Sequence, residues 1–203
     1  MSRDTQLSDS DGVILVKTAR NAVTEFLSNG NRMKLESELE EKFSFNSGVF
    51  VTLNNPNGLR GCIGFPMPEK KLARAIIEGA IAAATEDPRF PSVKIDELND
   101  IVFEVTVLTP PVEIDVSDPM EYLEKIKVGR DGLIIKHSFS SGLLLPQVPV
   151  EYGWDVEEFL QHTCEKAGLA RDTWKNENVK IEKFEGAIFK EETPNGVIVR
   201  EET

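Results

Sequence analysis

The stretch Asn54-Asn55-Pro56-Asn57-Gly58-Leu59-Arg60-Gly61-Cys62-Ile63-Gly64 determines how the first part of this chain folds. Just before it, Val49, Val51 and Leu53 recur at every second position, which is the period of a β-strand. The asparagines, the proline and the first glycine form a cluster of turn-forming residues. Apolar residues resume after that cluster, so the stretch predicts a β-hairpin.

The second strand of this hairpin carries the candidate catalytic residues. Residues two positions apart on a strand share a face and lie roughly 6 to 7 Å apart, so Arg60 and Cys62 are predicted neighbours. A cation beside a thiol lowers the pKa of the thiol, and the thiolate is the nucleophilic form. We therefore predict Cys62 as a nucleophile or substrate anchor, with Arg60 holding the thiolate or binding an anionic group. Alternatively, Arg60 forms an anion clamp with Arg89 and Arg130, although arginines more often make ion pairs.

Glycines flank this cysteine on the same strand. Because glycine has no side chain, Gly61 and Gly64 leave room for a ligand or for another backbone, and we predict them as binding-site residues. The alternative is that Cys62 is a small buried side chain, and that the glycines mark a bulge or a close contact between a helix and the sheet. Free cysteines are usually buried and inert, which gives this alternative general support.

The loop Asp87-Pro88-Arg89-Phe90-Pro91 and the two histidines supply the remaining candidates. Prolines stiffen the loop, which suits either a structural corner or a binding edge. We predict that Arg89 and Phe90 line the ligand-binding cleft. His137 lies at the end of a predicted strand, from which it could reach the same cleft as a ligand-binding or basic group. His162 falls on the polar side of its helix and is predicted to be solvated.

The rest of the chain predicts helices and strands in irregular order. Apolar residues at helical spacing, bounded by capping residues, predict helices at about 10–30, 69–86, 119–127 and 155–168. Alternation predicts strands at 101–108, 126–128, 133–135, 143–145, 179–189 and 197–199, with reversals at Asp131-Gly132 and Ser140-Ser141-Gly142. Because strands and helices do not alternate strictly, we predict an α+β fold with a mixed or antiparallel sheet covered by helices.

Composition limits the classes of partner and site. The chain of 203 residues fits one sizeable domain, and its net charge of −12 repels nucleic acids and anionic membrane surfaces. There is no signal-peptide core and no apolar run that could span a membrane, so we predict a cytoplasmic protein without a membrane or nucleic-acid partner. Cys62 and Cys164 are predicted free thiols. No metal-ligand, phosphate-loop or dinucleotide motif is present, so no metal site is predicted.

The hexapeptide Leu59-Arg60-Gly61-Cys62-Ile63-Gly64 resembles the hallmark of the AMMECR-type domain family, named for the Alport syndrome, mental retardation, midface hypoplasia and elliptocytosis chromosomal region. Other family motifs are matched in the family's order by Asp87-Pro88-Arg89-Phe90-Pro91, Val128-Gly129-Arg130-Asp131-Gly132-Leu133, Leu145-Pro146-Gln147-Val148 and Gly153-Trp154-Asp155. The resemblance covers about residues 10–190 as a single domain, with 1–9 and 191–203 as flanking segments. The compact length is similar to that of the family's stand-alone prokaryotic members.

This resemblance implies an α+β fold with a larger and a smaller lobe, and a functional surface around the cysteine motif. It implies no particular reaction or cofactor, because the family has no settled activity. In some prokaryotes the domain is joined to MEMO-like and radical S-adenosylmethionine modules. This association implies that the domain assists a modification system and has such proteins as partners.

We therefore consider two functions that differ in class. One is an enzyme, or an enzyme accessory, that acts on a small molecule or protein through a cysteine-centred cleft. The other is a non-enzymatic protein-binding module whose glycine-rich strand and proline-braced loop form the docking surface.

Overall fold

The computed structural model describes residues 7–176 and 178–201. It confirms the predicted α+β fold, because antiparallel strand pairs form a sheet against which helices pack. The helices are α1 (Asp9–Asn29), α2 (Ser37–Lys42), α3 (Leu72–Thr85), α4 (Tyr122–Lys125), α5 (Gln147–Tyr152) and α6 (Val156–Lys166). The strands are β1 (Gly48–Asn55), β2 (Gly58–Phe65), β3 (Val102–Leu108), β4 (Val112–Glu113), β5 (Asp131–His137), β6 (Ser140–Leu144), β7 (Lys180–Glu191) and β8 (Ile198–Glu201).

The described residues form two compact units. The first unit contains the residues up to Leu108 together with those from Ala187 onward, and the second contains those between Thr109 and Gly186. Strand β7 contributes residues to both units. The predicted strand near the end of the chain is β8, which pairs with the part of β7 that belongs to the first unit.

Helix α1 opens the first unit and is bounded by two capping residues. The Ser8 hydroxyl accepts the N–H of Asp11, and the Asp11 carboxylate accepts the N–H of Ser8, which together form a capping box. The predicted start at Ser10 therefore lies inside the helix. Gly30 has φ of 75°, the left-handed conformation that glycine adopts readily, and it ends the helix as predicted.

The core of the first unit lies on one face of the hairpin strands. Val49, Val51 and Leu53 of β1 are 0% exposed, and α3 packs across β1 and β2 on this side. Most residues of α3 are buried, which agrees with its nearly continuous apolar sequence. Helix α3 begins at Leu72 rather than near the predicted residue 69, because a β-bridge with Asn46 holds the residue before it in an extended conformation.

A buried ion pair holds α1 to β7 within the first unit. The Nε atom of Arg20 donates to a carboxylate oxygen of Glu191 at 2.6 Å, and both side chains are almost completely buried. The guanidinium also donates to the carbonyl of Leu98, and Glu191 accepts the backbone N–H of Phe103. Both charges are therefore compensated by hydrogen bonds, which burial of a charge requires.

The order of strands gives the first unit an edge and an outer face. Strand β1 lies between β2 and β3, and β2 stands at the end of the order. Thr52 of β1 pairs with Cys62 on one side and with Glu104 on the other. Directly opposed residues share a face, so Thr52, Cys62 and Glu104 lie on the same side of the sheet. Because side chains alternate along β1, this side is the one that faces away from the core residues Val49, Val51 and Leu53. We call this side of β1, β2 and β3 the outer face.

The second unit is built around β5, which pairs with β6 and with β7. Helix α6 packs against β5 and β6, and it begins at the predicted capping box of Asp155 and Glu158. Cys164 lies on the apolar side of this helix and is fully buried. The short helix α5 precedes α6 and was absent from the sequence prediction.

Two predicted reversals in the second unit are wrong. Strand β5 begins at Asp131, residues 126–128 form no strand, and the chain reverses at Ser138 and Phe139. The stretch 140–142, which was predicted to turn, instead belongs to β6.

Packing explains why an Asp-Gly pair occupies a strand here. The buried Asp131 carboxylate accepts the backbone N–H of Lys127 at 2.9 Å and the Nε–H of Arg130 at 2.7 Å. Gly132 lies against the ring of Phe184, which would stand 2.3 Å from an added Cβ atom. The hydrogen bonds of Asp131 and the long-range contact of Gly132 with Phe184 together override the preference of Asp-Gly for a turn.

Candidate functional site

The two glycines of the cysteine strand are explained by close packing within the first unit. A Cβ atom on Gly61 would lie 2.1 Å from the carbonyl oxygen of Ala83, so β2 approaches α3 more closely than any side chain permits. A Cβ atom on Gly64 would lie 2.5 Å from the ring of Phe50 on β1. Gly61 therefore makes the close contact between a helix and the sheet that the alternative predicted, whereas the space at Gly64 is filled by the neighbouring strand β1.

A β-bulge separates Arg60 from the regular alternation of β2. Leu53 pairs with Gly61 while its neighbour Asn54 pairs with Leu59, so Arg60 is the extra residue. A bulge redirects the side chain of the extra residue. The guanidinium of Arg60 makes two hydrogen bonds to the Glu97 carboxylate, at 2.8 and 3.1 Å. Arg60, the cation predicted to act on the thiol, is therefore already paired. Its hydrogen bonding to Glu97 holds the pKa of that carboxyl below its usual range.

Cys62 is a half-buried thiol on the outer face. The Thr52 hydroxyl lies 3.4 Å from the Sγ atom, within hydrogen-bond distance for sulfur. Burial raises the pKa of the Cys62 thiol above its ordinary value, and the carboxylates of Glu104 and Asp87 add to this effect. The Thr52 hydrogen bond and the positive charge of Arg89 oppose the rise without cancelling it. The thiol is therefore protonated at neutral pH, whereas an activated nucleophile has a lowered pKa.

The backbone of Cys62 is bound by two residues of the proline-braced loop. The buried Asp87 carboxylate accepts the N–H of Cys62 at 2.8 Å, and Arg89 donates to the carbonyl of Cys62 at 3.4 Å. Arg89 also makes two side-chain hydrogen bonds to Asp87, at 3.0 and 2.7 Å. These bonds hold the pKa of Asp87 well below its usual range and raise that of Arg89.

The other end of this loop is also attached to β2. A second nitrogen of the Arg60 guanidinium donates to the carbonyl oxygen of Pro91 at 2.9 Å. The loop from Asp87 to Pro91 is thus tied to the strand at both ends. Between these attachments, Pro88 and Arg89 are exposed, and the Arg89 guanidinium stands 5.5 Å from the centre of the Phe90 ring.

The structure brings together the candidates of the first unit, while the others belong to the second unit. Arg60, Gly61, Cys62, Gly64, Arg89 and Phe90 all lie on β2 or on the loop bound to it. His137 and Arg130 belong to the second unit. Arg130 pairs with Asp131 and Glu185, so each arginine of the predicted anion clamp has a carboxylate partner.

Both histidines also have defined local surroundings. His137 pairs with Ser140 next to the β5–β6 reversal, and its role as a ligand-binding residue stays a prediction. His162 stacks on Trp154 with ring centres 3.9 Å apart, and its Nδ1 atom lies 2.7 Å from a Glu165 carboxylate oxygen. It is therefore less solvated than its helical position predicted.

Three important residues of the site were not singled out from the sequence. Thr52 contacts the thiol, Asp87 binds the strand backbone, and Glu97 neutralises Arg60. Asp87 had a local signal, since it opens the Asp-Pro-Arg-Phe-Pro loop. Glu97 had none, because its partner lies 37 positions earlier in the chain.

Within residues 7–176 and 178–201, no group of three or more histidine, cysteine, aspartate or glutamate side chains is placed to hold a metal ion. None of the helices in those ranges has the length and apolar character needed to cross a membrane.

Comparison with known proteins places this chain in a family. The family model described as AMMECR1 matches residues 16–189. The chain is 52% identical over 195 residues to Protein MJ0810 of Methanocaldococcus jannaschii, covering 95% of this chain and 96% of that protein. It is 50% identical over 200 residues to Protein PF1979 of Pyrococcus furiosus, with 96% and 95% covered.

A solved structure supports the same assignment. The crystal structure of the uncharacterized protein PH0010 from Pyrococcus horikoshii matches with a TM-score of 0.88 at 50% identity, covering 97% of this chain and 99% of that one. A fold and sequence shared along nearly the whole length define an AMMECR-type domain. The chain belongs to the AMMECR1 family.

Proposed function

We propose that this chain is a non-enzymatic protein-binding module, and that β2 with the loop 87–91 forms its docking surface. The observation that carries this proposal is the attachment of the loop to β2 at both ends, through Asp87 to Cys62 and through Arg60 to Pro91. These hydrogen bonds are made within the free protein, so the loop is ordered before a partner arrives. Pre-ordering removes part of the entropy cost of binding.

The residues that the loop presents suit protein recognition. Arginine and aromatic residues dominate the binding energy of most protein interfaces. Here the Arg89 side chain is 54% exposed, and its guanidinium is fixed by Asp87 and lies near the Phe90 ring. Leu59 on the adjacent strand is 40% exposed and adds apolar surface.

The electrostatics of the site favour binding over catalysis by Cys62. A cysteine nucleophile needs a stabilised thiolate, yet burial and two carboxylates favour the neutral thiol. Arg60 is paired with Glu97, and Arg89 is paired with Asp87. Both histidines of the chain belong to the other unit, so the unit that contains Cys62 has no histidine base of its own.

The partners to test first are MEMO-like and radical S-adenosylmethionine proteins from the same organism, because such modules are joined to this domain in some prokaryotes.

The Phe90→Ala variant removes an aromatic side chain from the docking surface. We expect it to weaken partner binding by about tenfold or more, the usual effect of losing an interface anchor. Isothermal titration calorimetry with the purified proteins measures this. Ile95→Ala is the matched control, since Ile95 is 41% exposed and lies outside the loop. Equal losses in both variants would contradict this docking surface.

A second experiment separates the binding module from a cysteine enzyme. We expect iodoacetamide to alkylate Cys62 slowly at pH 7, with a rate that rises only above the pH at which an ordinary cysteine ionises, because the pKa of the thiol is raised. Mass spectrometry of tryptic peptides gives the rate at each pH, and Cys164, which is buried in α6, is an internal control. Rapid alkylation of Cys62 below pH 7 would overturn the binding-module proposal in favour of a nucleophile.

A further inference from the structure

The second unit contains a cavity that is unrelated to the cysteine strand. Its volume is about 200 Å³, and the segment from β4 to the start of α4 forms much of its wall. Its polar lining consists of Glu113, Asp115, Ser117, Tyr122 and Asn176. We call it the Tyr122 cavity.

Tyr122 provides a polar group at this cavity. Only 6% of the residue is exposed, and it belongs to the same buried core cluster of the second unit as Ile114 and Ile126. The hydroxyl oxygen itself is reached by solvent, since the buried side-chain atoms that lack a partner in the described residues are Gln147 Oε1 and Trp174 Nε1. Among residues 7–176 and 178–201, the Tyr122 hydroxyl makes no hydrogen bond, and Tyr122 lines the cavity. Its hydroxyl is therefore available to a ligand there.

The charge around the cavity is negative. Glu113 and Asp115 both line it, and no lysine or arginine does. Lys180 pairs with Glu113 at 3.1 Å, but both of these side chains are more than half exposed, so the pair is weak. Lys125 reaches Asp115 only at the backbone carbonyl, and the Asp115 carboxylate makes no ion pair in the described part of the chain.

The pKa of Tyr122 agrees with this geometry. Burial raises it above the ordinary value, and the negative charges of Glu113 and Asp115 raise it further. Both carboxylates that raise the pKa of the phenol also line the cavity. A protonated phenol keeps a lone pair with which it can accept a hydrogen bond.

We propose that the Tyr122 cavity binds a small primary amine in its ammonium form. An ammonium group has three donors and no acceptor, which complements carboxylate, phenol and amide oxygens. A water molecule takes roughly 30 Å³ of liquid, so the cavity suits a compact amine of about four to six heavy atoms. A free amine and the end of a lysine side chain share this chemistry.

Nuclear magnetic resonance of the full chain labelled with ¹³C-tyrosine tests the proposal. The chain has two tyrosines, so Tyr122 reports on the cavity while Tyr152, which is 68% exposed and does not line it, is an internal control. We expect n-butylammonium, added at constant ionic strength, to shift the Tyr122 signal saturably, with a Kd on the order of 1 mM. The Tyr152 signal should stay in place, and Tyr122→Phe assigns the two signals.

Variants and probes decide the outcome. Asp115→Asn and Glu113→Gln should each raise the Kd by about threefold or more, since a hydrogen bond to a charged group is lost. Glu151→Gln removes an exposed carboxylate elsewhere in the second unit and should leave the Kd unchanged. Saturable binding of Nα-acetyl-lysine methylamide as well would extend the site to lysine side chains, and binding of butylammonium alone would restrict it to free amines.

Three results would overturn the proposal. The first is a Tyr122 shift that does not saturate at concentrations about tenfold above the expected Kd. The second is an equal shift with n-butanol, which lacks the charge. The third is a Kd that Asp115→Asn and Glu113→Gln leave unchanged while the Tyr152 signal shows that the variants are folded.

Discussion

At the scale of single residues, the two glycines beside Cys62 show how one local pattern can serve different purposes. In the sequence, the absence of side chains at Gly61 and Gly64 fits a ligand-binding strand as well as it fits close packing within the protein. In the structure, the carbonyl of Ala83 and the ring of Phe50 take up that space. The space that glycine leaves is therefore filled by the protein itself.

Gly61 and Gly79 form a matched pair that tests this conclusion. We expect Gly61→Ala to destabilise the protein by about 1 to 3 kcal/mol, because the new Cβ atom would stand 2.1 Å from the Ala83 oxygen. Gly79→Ala has room, since its nearest contact would be 3.5 Å, and alanine favours the helix, so we expect a gain of up to about 1 kcal/mol. Urea unfolding measures both. A neutral Gly61→Ala would contradict the close approach of β2 to α3.

At the scale of elements, the hairpin was predictable from the sequence, and the glycines indicated a bulge as one alternative without identifying the extra residue. Period-two alternation around a cluster of turn residues is a local signal, and the structure confirms it in β1 and β2. The extra residue at Arg60 depends on partners far along the chain, Glu97 and Pro91, which a local pattern does not reveal. The same limit explains why Asp131 and Gly132 lie in β5.

The attachment of the loop to β2 gives a pH-dependent prediction. Asp87 has a lowered pKa in the folded protein and an ordinary value of 3.8 when unfolded, so its ionised form stabilises the fold above that pH. We expect Asp87→Asn to cost about 2 kcal/mol at pH 7, because the pairing of a buried carboxylate is lost. As pH falls below about 4, the unfolded chain takes up a proton before the folded one. The difference between wild type and variant should therefore shrink.

Urea unfolding of both proteins between pH 7 and pH 3 measures that difference. Asp100→Asn is the control, since Asp100 is exposed on the same unit. A difference between wild type and Asp87→Asn that stays constant across this range would show that the charge of Asp87 does not hold the loop to the strand.

At the scale of the whole molecule, composition gives the clearest expectation. The net charge of −12 opposes association with polyphosphates, whose binding depends on releasing counterions from phosphate groups. We expect no measurable binding to single-stranded or duplex DNA or RNA, even at low salt, where such binding is strongest. Fluorescence anisotropy with labelled oligonucleotides tests this. A salt-dependent affinity would reveal a local basic surface and would reopen nucleic acids as partners.

The α+β class was also predictable at this scale, because the order of helical and alternating segments is written along the chain. The ionisation of Cys62 was not, since burial and the charges of Glu104 and Asp87 set its pKa, and both arise only when distant segments meet. The hexapeptide therefore marks a candidate site but does not tell what the thiol does.

Strand β2 stands at the end of the strand order, and such a strand offers unpaired backbone groups to any other strand that meets it. The Asp87 carboxylate already occupies the N–H of Cys62, and Arg89 reaches the neighbouring carbonyl. A second copy of the chain would have to displace a buried carboxylate before it could extend the sheet at this point. The loop that presents Arg89 and Phe90 thereby also opposes the addition of another strand at this point of the edge.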